Sequence, residues 1–164
     1  MIVISQYRKD ERNGEIRIRS KESSVCPVCF CGLKVIGSRK RGVIEPDGRQ
    51  QIYVIRRLRC KGCRIIHHEL PDLLIPFKRH CAATIEQVIA ESEPTSIPTT
   101  PNAVRRIKQW WSVMGAYFMF IIEALEARLG VALNIIPHPR NIVRATVNSH
   151  NWAHTHSVLR PLRS

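Results

Sequence analysis

Acidic residues are scarce in this chain: 13 Asp and Glu stand against 26 Lys and Arg, a formal charge of +13 over 164 residues. Only three are aspartates, Asp10, Asp47 and Asp72, all in the first half and in turn-like or highly charged stretches. Two-metal phosphoryl transfer needs several carboxylates converging on one site. Glu123 and Glu126 have no such companions, so a small transposase or nuclease acting as an enzyme is disfavoured and a non-enzyme is expected. Long apolar runs are missing too. The uncharged run 109–122, with Trp110-Trp111 and Phe118 to Ile122, is shorter than the roughly 20 residues a helix needs to cross a bilayer, and no membrane partner is expected. Nothing at Met1-Ile-Val-Ile-Ser5 has the length of a secretory signal. That favours a cytoplasmic, reducing setting, where disulfides are rare.

The positive charge is uneven. Residues 1–80 hold 18 Lys/Arg and 8 Asp/Glu, whereas residues 81–164 hold 8 and 5. A basic surface concentrated on one module suits a polyanion, with nucleic acid first.

Cysteine is where the chemistry gathers. Cys26-Pro-Val-Cys29 and Cys60-Lys-Gly-Cys63 are two Cys-x-x-Cys turns separated by thirty residues. Each turn can aim two sulfurs at one ion, and a closed set of four thiolates marks a structural rather than a catalytic zinc site. One structural Zn2+ held by Cys26, Cys29, Cys60 and Cys63 is therefore expected, against the alternatives of disulfides or unconnected thiols. Cys31, two residues beyond Cys29, can compete as a ligand, and Cys81 reads as a small apolar side chain. His67 and His68 read as surface or partly packed residues, since no second ligand pair has fitting spacing. Ribbon turns often carry glycine after the second cysteine, and here those positions are Phe30 and Arg64.

Between the pairs, residues 33–37 and 51–59 read as strands joined by an Asp47-Gly48 turn, with a third strand at 64–68. Lys34, Arg39, Lys40, Arg41, Arg56, Arg57 and Arg59 decorate this unit, and cations on strands contact phosphates without reading bases. Residues 1–24 offer only an Asn13-Gly14 turn signal and a short hairpin that would pair residues 1–7 with 15–19. Residues 70–77 read as an apolar, irregular linker. A short helix follows over 81–91. Thr100 before Pro101 has the form of an N-cap with a first-turn proline. From there Val104, Ile107, Trp111, Met114, Phe118, Ile121, Leu125 and Leu129 recur at helical spacing up to Gly130. Arg105, Arg106 and Lys108, with Asn102, lie near the start of that helix, the layout of a helix-turn-helix recognition helix. A last helix is expected over 141–149.

The run CPVC, the basic hairpin and IRRLRCKGCRIIHHELPDLLIPFKRH resemble a bacterial zinc-ribbon and helix-turn-helix family associated with mobile elements, similar to the N-terminal regions of transposases. Arg105-Arg106, Trp110-Trp111 and the segment from Val147 to Thr155 fit the same likeness, which covers most of 24–156; Phe30 and Arg64 depart from it. The resemblance implies zinc at the four cysteines and a DNA-directed, transposition-associated role. The expected fold is α+β: an extension over 1–23, a small antiparallel zinc ribbon over 24–80, an all-α helix-turn-helix-like region over 81–156 with one long amphipathic helix, and a frayed tail over 157–164. The competing expectation is a protein-interaction or dimerisation module, with a homo-oligomer or transposase partner bound through the 104–129 helix. RNA in place of DNA stays open.

Overall fold

A computed structural model describes residues 1–91, 97–133, 135 and 138–152. The expected frayed tail, His154, His156 and most of the proline-rich break before the long helix fall outside them. In chain order the elements are β1 (Ile2–Ile4), β2 (Tyr7–Arg12), β3 (Glu15–Ser20), β4 (Leu33–Ile44), β5 (Gln50–Cys60), β6 (Ile66–Pro71), α1 (Ala82–Ala90), α2 (Pro101–Leu129) and α3 (Pro139–Asn148).

The expected division into a small ribbon and an all-helical region is overturned. Six strands form one mixed sheet in the order β1-β6-β5-β3-β2, with β4 on the other edge of β5. β5 is the organiser. One of its edges carries β4 along nearly its whole length. Its other edge is shared by β3, parallel against Ile52–Val54, and by antiparallel β6 against Arg57–Arg59. Residues 1–23 are thus part of the sheet. Asn13 and Gly14 do make a turn, with φ of +52° and +72°, but it joins Tyr7–Arg12 to Glu15–Ser20. Ile2–Ile4 instead runs parallel to Glu69–Pro71. The expected local hairpin of 1–7 with 15–19 gives way to this distant pairing, for which three apolar residues carry no sequence mark. Their partner, moreover, lies in a segment whose prolines suggested irregular chain, and β6 extends through it to Pro71.

A single buried cluster joins Ile2–Ile4, Ile18, Tyr53, Ile55 and Leu70 of the sheet to residues of all three helices. That overturns the separate all-α, helix-turn-helix-like region over 81–156. The stripe of α2 places Ile107, Met114, Phe118 and Ile121 in the interior, with Val104, Trp111 and Leu125 half-buried and Leu129 exposed. The periodicity of this helix therefore serves one shared core, not a separate module. Its ends follow local chemistry: the Thr100 side chain accepts from the Ala103 N–H, Pro101 opens the first turn, and Gly130 closes it at φ +68°. Glu86 of α1 ties α3 down through His138 Nδ1 at 2.7 Å and Arg140 at 3.1 Å. Asn148, at the end of α3, accepts from the Val3 N–H at 2.8 Å and donates to the Val3 carbonyl at 2.9 Å. Its amide substitutes for a neighbouring strand along the open edge of β1. Among the described residues no helix is long and apolar enough to cross a membrane.

Candidate functional site

The two Cys-x-x-Cys turns are built alike. In the first, the Cys26 N–H bonds the Cys31 carbonyl at 3.0 Å; in the second, the Cys60 N–H bonds the Ile65 carbonyl at 3.0 Å. Each turns at the fifth residue through the left-handed region, Phe30 at φ +58° and Arg64 at φ +65°. These are the two positions where ribbon turns often carry glycine. The backbone keeps the glycine conformation with larger side chains, at about 1–2 kcal/mol each. The Lys61 N–H reaches across to the Gly32 carbonyl at 3.0 Å and locks the turns together. Gly62 sits where no side chain fits, since a Cβ there would lie 2.7 Å from Cys31 Sγ and 3.4 Å from Cys29 Sγ.

β4 and β5 bring both turns to one end of the hairpin, with Leu33 opposite Cys60. The sulfurs of Cys26, Cys29, Cys60 and Cys63 all lie within 4.8 Å of one another. Cys29 and Cys60 are 3.3 Å apart, and Cys26 and Cys63 3.6 Å. Disulfide sulfurs are bonded at about 2.05 Å, and all six cysteines are free. A tetrahedron with metal–sulfur bonds of about 2.3 Å has edges of about 3.8 Å, so the cluster is shaped to hold a metal ion. Its electrostatics agree. The backbone N–H groups of Cys31 and Cys63 and the Cys60 thiol bring Cys29 down to about 6. The Ile65 N–H favours the Cys63 thiolate, yet desolvation and the Cys60 and Cys26 thiols push it up to about 12. Crowded thiols cannot all ionise alone, and a dication between them removes that conflict.

His67, expected at the surface or partly packed, is fully buried. It is 1% exposed, and its Nε2 lies 3.4 Å from Cys26 Sγ. Burial brings it down to about 4, so it is neutral near pH 7. In the Nε2–H tautomer it donates to the Cys26 sulfur from outside the ligand set. Cys31 is exposed, and Cys81 packs in the core with its Sγ 3.3 Å from Thr84 Oγ1.

The basic residues divide. Arg56 is committed to the fold: its Nε and Nη2 donate to Glu69 at 2.6 and 2.8 Å, and Glu69 is 1% exposed. Arg41 donates Nη2 to the Ile75 and Lys78 carbonyls at 2.6 and 2.7 Å. Lys40 pairs with Glu15. Sequence treats all three as phosphate contacts because an internally paired cation on a strand looks like any other. Lys34, Arg39 and Arg59 are exposed and Arg57 is half-buried. Lys34 stands opposite Arg59 in the β4–β5 ladder. Asn102, Arg105 and Arg106 are exposed at the start of α2 and Lys108 is half-buried. Gly48 of the hairpin turn lies against Pro98, which sets the start of α2 near the hairpin tip, away from the cysteines. The first 24 residues supply cations that sequence left unassigned: Arg12, Arg17 and Arg19 line a cleft of 450 Å³ with Lys40. Their signal was the period-two alternation of Glu15–Ser20, which turns Arg17 and Arg19 away from Ile16 and Ile18.

No curated protein and no solved structure matches the chain. A family profile does match, over residues 26–110, from the first cysteine of the cluster to the first tryptophan of α2. That span takes in both cysteine turns, the hairpin, α1 and the start of α2. The chain belongs to the family of that profile, described as a domain of unknown function, DUF6431.

Proposed function

We propose that the chain is a zinc-stabilised, non-enzymatic DNA-binding protein in which the basic hairpin grips the phosphate backbone. Zinc is the metal this donor set suits, since four thiolates in a closed tetrahedral site favour it and leave no open position for catalysis. The observation that carries the DNA reading is the run of cations along one hairpin, Lys34, Arg39, Arg57 and Arg59, on a chain of charge +13. Contacts of this kind give affinity without sequence choice. Arg105, Arg106 and Asn102 extend the surface from α2. A setting in transposition rests on the resemblance alone.

A second reading has an observation of its own. Val25, Val28, Phe30, Val35, Ile65 and Ile66 are all exposed around the cysteine end, and exposed apolar patches mark protein contacts. A partner protein docked there would bind with little salt dependence.

Zinc content measured with duplex-DNA affinity across a salt series separates the two. One zinc per chain, with log affinity falling linearly against log salt, supports the first reading. Alanine at Arg57 or Arg59 then lowers the slope by about 1 for each phosphate that the arginine neutralises. One zinc with no DNA binding at any salt would sink it in favour of the second.

A further inference from the structure

Strand alternation gives the two faces of the sheet different electrostatics where β4, β5 and β6 lie side by side. On one face Arg56 meets the Glu69 carboxylate. The other face carries Arg39, Arg57 and His68, whose cross-strand neighbours bring no negative charge: Arg57 stands between Gly37 and His68, and Arg39 stands opposite Ile55. Like charges set side by side on a sheet repel, and the groups around them register it. Burial, and after it the Arg39 charge, brings Arg41 down to about 10. Burial first, then the charges of Arg39 and Arg57, holds His68 below its ordinary value, so that ring is neutral near pH 7.

The same face opens into a cleft of 510 Å³ whose lining includes the apolar Ile55 and Leu70 and the basic Arg39, His68 and Arg79; no described residue of the lining is acidic. Other cations of the wall are already engaged. Lys40 pairs with Glu15, Arg41 donates to the Ile75 and Lys78 carbonyls, and Lys78 Nζ lies 4.1 Å from the centre of the Trp110 ring. Arg39 and Arg79 are exposed, and His68 between these charges is half-buried. The backbone under Arg79 is fixed: its carbonyl accepts from the Ile44 N–H at 2.8 Å, and the Cys81 N–H bonds the Ile44 carbonyl at 3.0 Å. A concave site of this size takes a small molecule. Two guanidinium forks and a ring N–H, with no carboxylate beside them, match the oxygens of a phosphate group. A phosphomonoester carries close to two negative charges near neutral pH, and a diester inside a strand carries one, so the monoester neutralises such a cluster better.

We infer that this cleft is a phosphomonoester site, in which Arg39 and Arg79 hold the phosphate, His68 donates a ring N–H to it, and Arg57, beside His68 in the ladder, adds its charge. Arg41 positions the turn and touches no ligand. The same chemistry comes from two sources, a free mononucleotide and the 5′-phosphate at the end of a DNA strand. The site goes beyond the grip of the hairpin on a duplex backbone and does not depend on it.

The test is isothermal titration calorimetry of the zinc-loaded full chain with dTMP and with thymidine, at one ionic strength. dTMP saturates one site per chain, and thymidine does not bind. Arg39→Ala and Arg79→Ala each lower dTMP affinity about tenfold, and both fold with the parent's melting temperature because the side chains are exposed. Arg12→Ala removes the same charge from another exposed position and leaves dTMP affinity at the parent value. An equal loss in Arg12→Ala reduces the effect to overall charge and overturns the site. Thymidine binding as tightly as dTMP, or dTMP that never saturates, overturns it too. Duplexes with and without 5′-phosphates separate the sources. Tighter binding of the phosphorylated duplex, with dTMP competing, assigns the site to strand ends; equal binding of the two, with dTMP affinity intact, assigns it to a free mononucleotide. A chain that binds dTMP and no duplex keeps this site while the duplex reading falls.

Discussion

Replacing Arg56 by alanine isolates one internal ion pair from the surface charge around it. Arg56 presents two donors to Glu69, at 2.6 and 2.8 Å, and the carboxylate side chain is 1% exposed. The carboxylate's other neighbour is the Ser24 hydroxyl at 3.4 Å, a weak bond. Removing one partner of a fully buried pair costs about 3–5 kcal/mol, because the other charge stays in a poor solvent. The Arg56 side chain is 32% exposed, so water partly refills the space it leaves and the expected cost is about 2–3 kcal/mol. For a chain of this length that lowers the melting temperature by roughly 5–10 °C, read by circular dichroism on zinc-loaded protein. Adding Glu69→Gln removes the stranded charge and recovers most of the stability. The salt slope of DNA binding stays that of the parent, because this guanidinium is already engaged. A melting shift near zero, a double variant no better than Arg56→Ala, or a slope reduced by about 1 would each refute the assignment of Arg56 to the fold.

Serine at Cys26, Cys29, Cys60 or Cys63 abolishes stoichiometric metal uptake and destabilises the hairpin by several kcal/mol, whereas Cys81→Ser retains the metal; mass spectrometry under native conditions reads both. Gly62→Ala forces a Cβ to within 2.7 Å of Cys31 Sγ, so it weakens metal affinity in a competitive chelator titration although it touches no ligand bond. Lys78 supplies a pH test. Its folded pKa of about 8 lies below the ordinary 10.5, so between these values the unfolded chain binds more protons. Stability therefore rises with pH across that window, and the rise shrinks in Lys78→Met, measured by urea unfolding.

What could be read in advance was local. Thr100, Pro101 and Gly130 bound α2 within a few residues of chain, and the two Cys-x-x-Cys turns carry their own spacing. The pairing of Ile2–Ile4 with Glu69–Pro71 leaves no such trace, because each partner looks ordinary until the other is beside it. The internal pairing of some basic residues is illegible for a different reason. Arg56 and Arg57 are adjacent on β5 and alike in composition, yet strand alternation sends them to opposite faces. One faces Glu69 and the other stands opposite Gly37 and His68. Only the position of a single buried carboxylate separates a structural cation from a surface one, and that position depends on the sheet register.

The place of β1 has a consequence for how the molecule is assembled. Its strand partner, β6, lies more than sixty residues further on, and the Asn148 amide that covers its open edge is 145 positions from Val3. During synthesis these three apolar residues emerge before either of the segments that cover them. The hairpin with its two cysteine turns can form from residues 26–63 well before then. Contacts at such separation slow folding, so closure of β1 is the late step. Until α3 arrives, a short hydrophobic edge is exposed and can be captured by another copy of the chain.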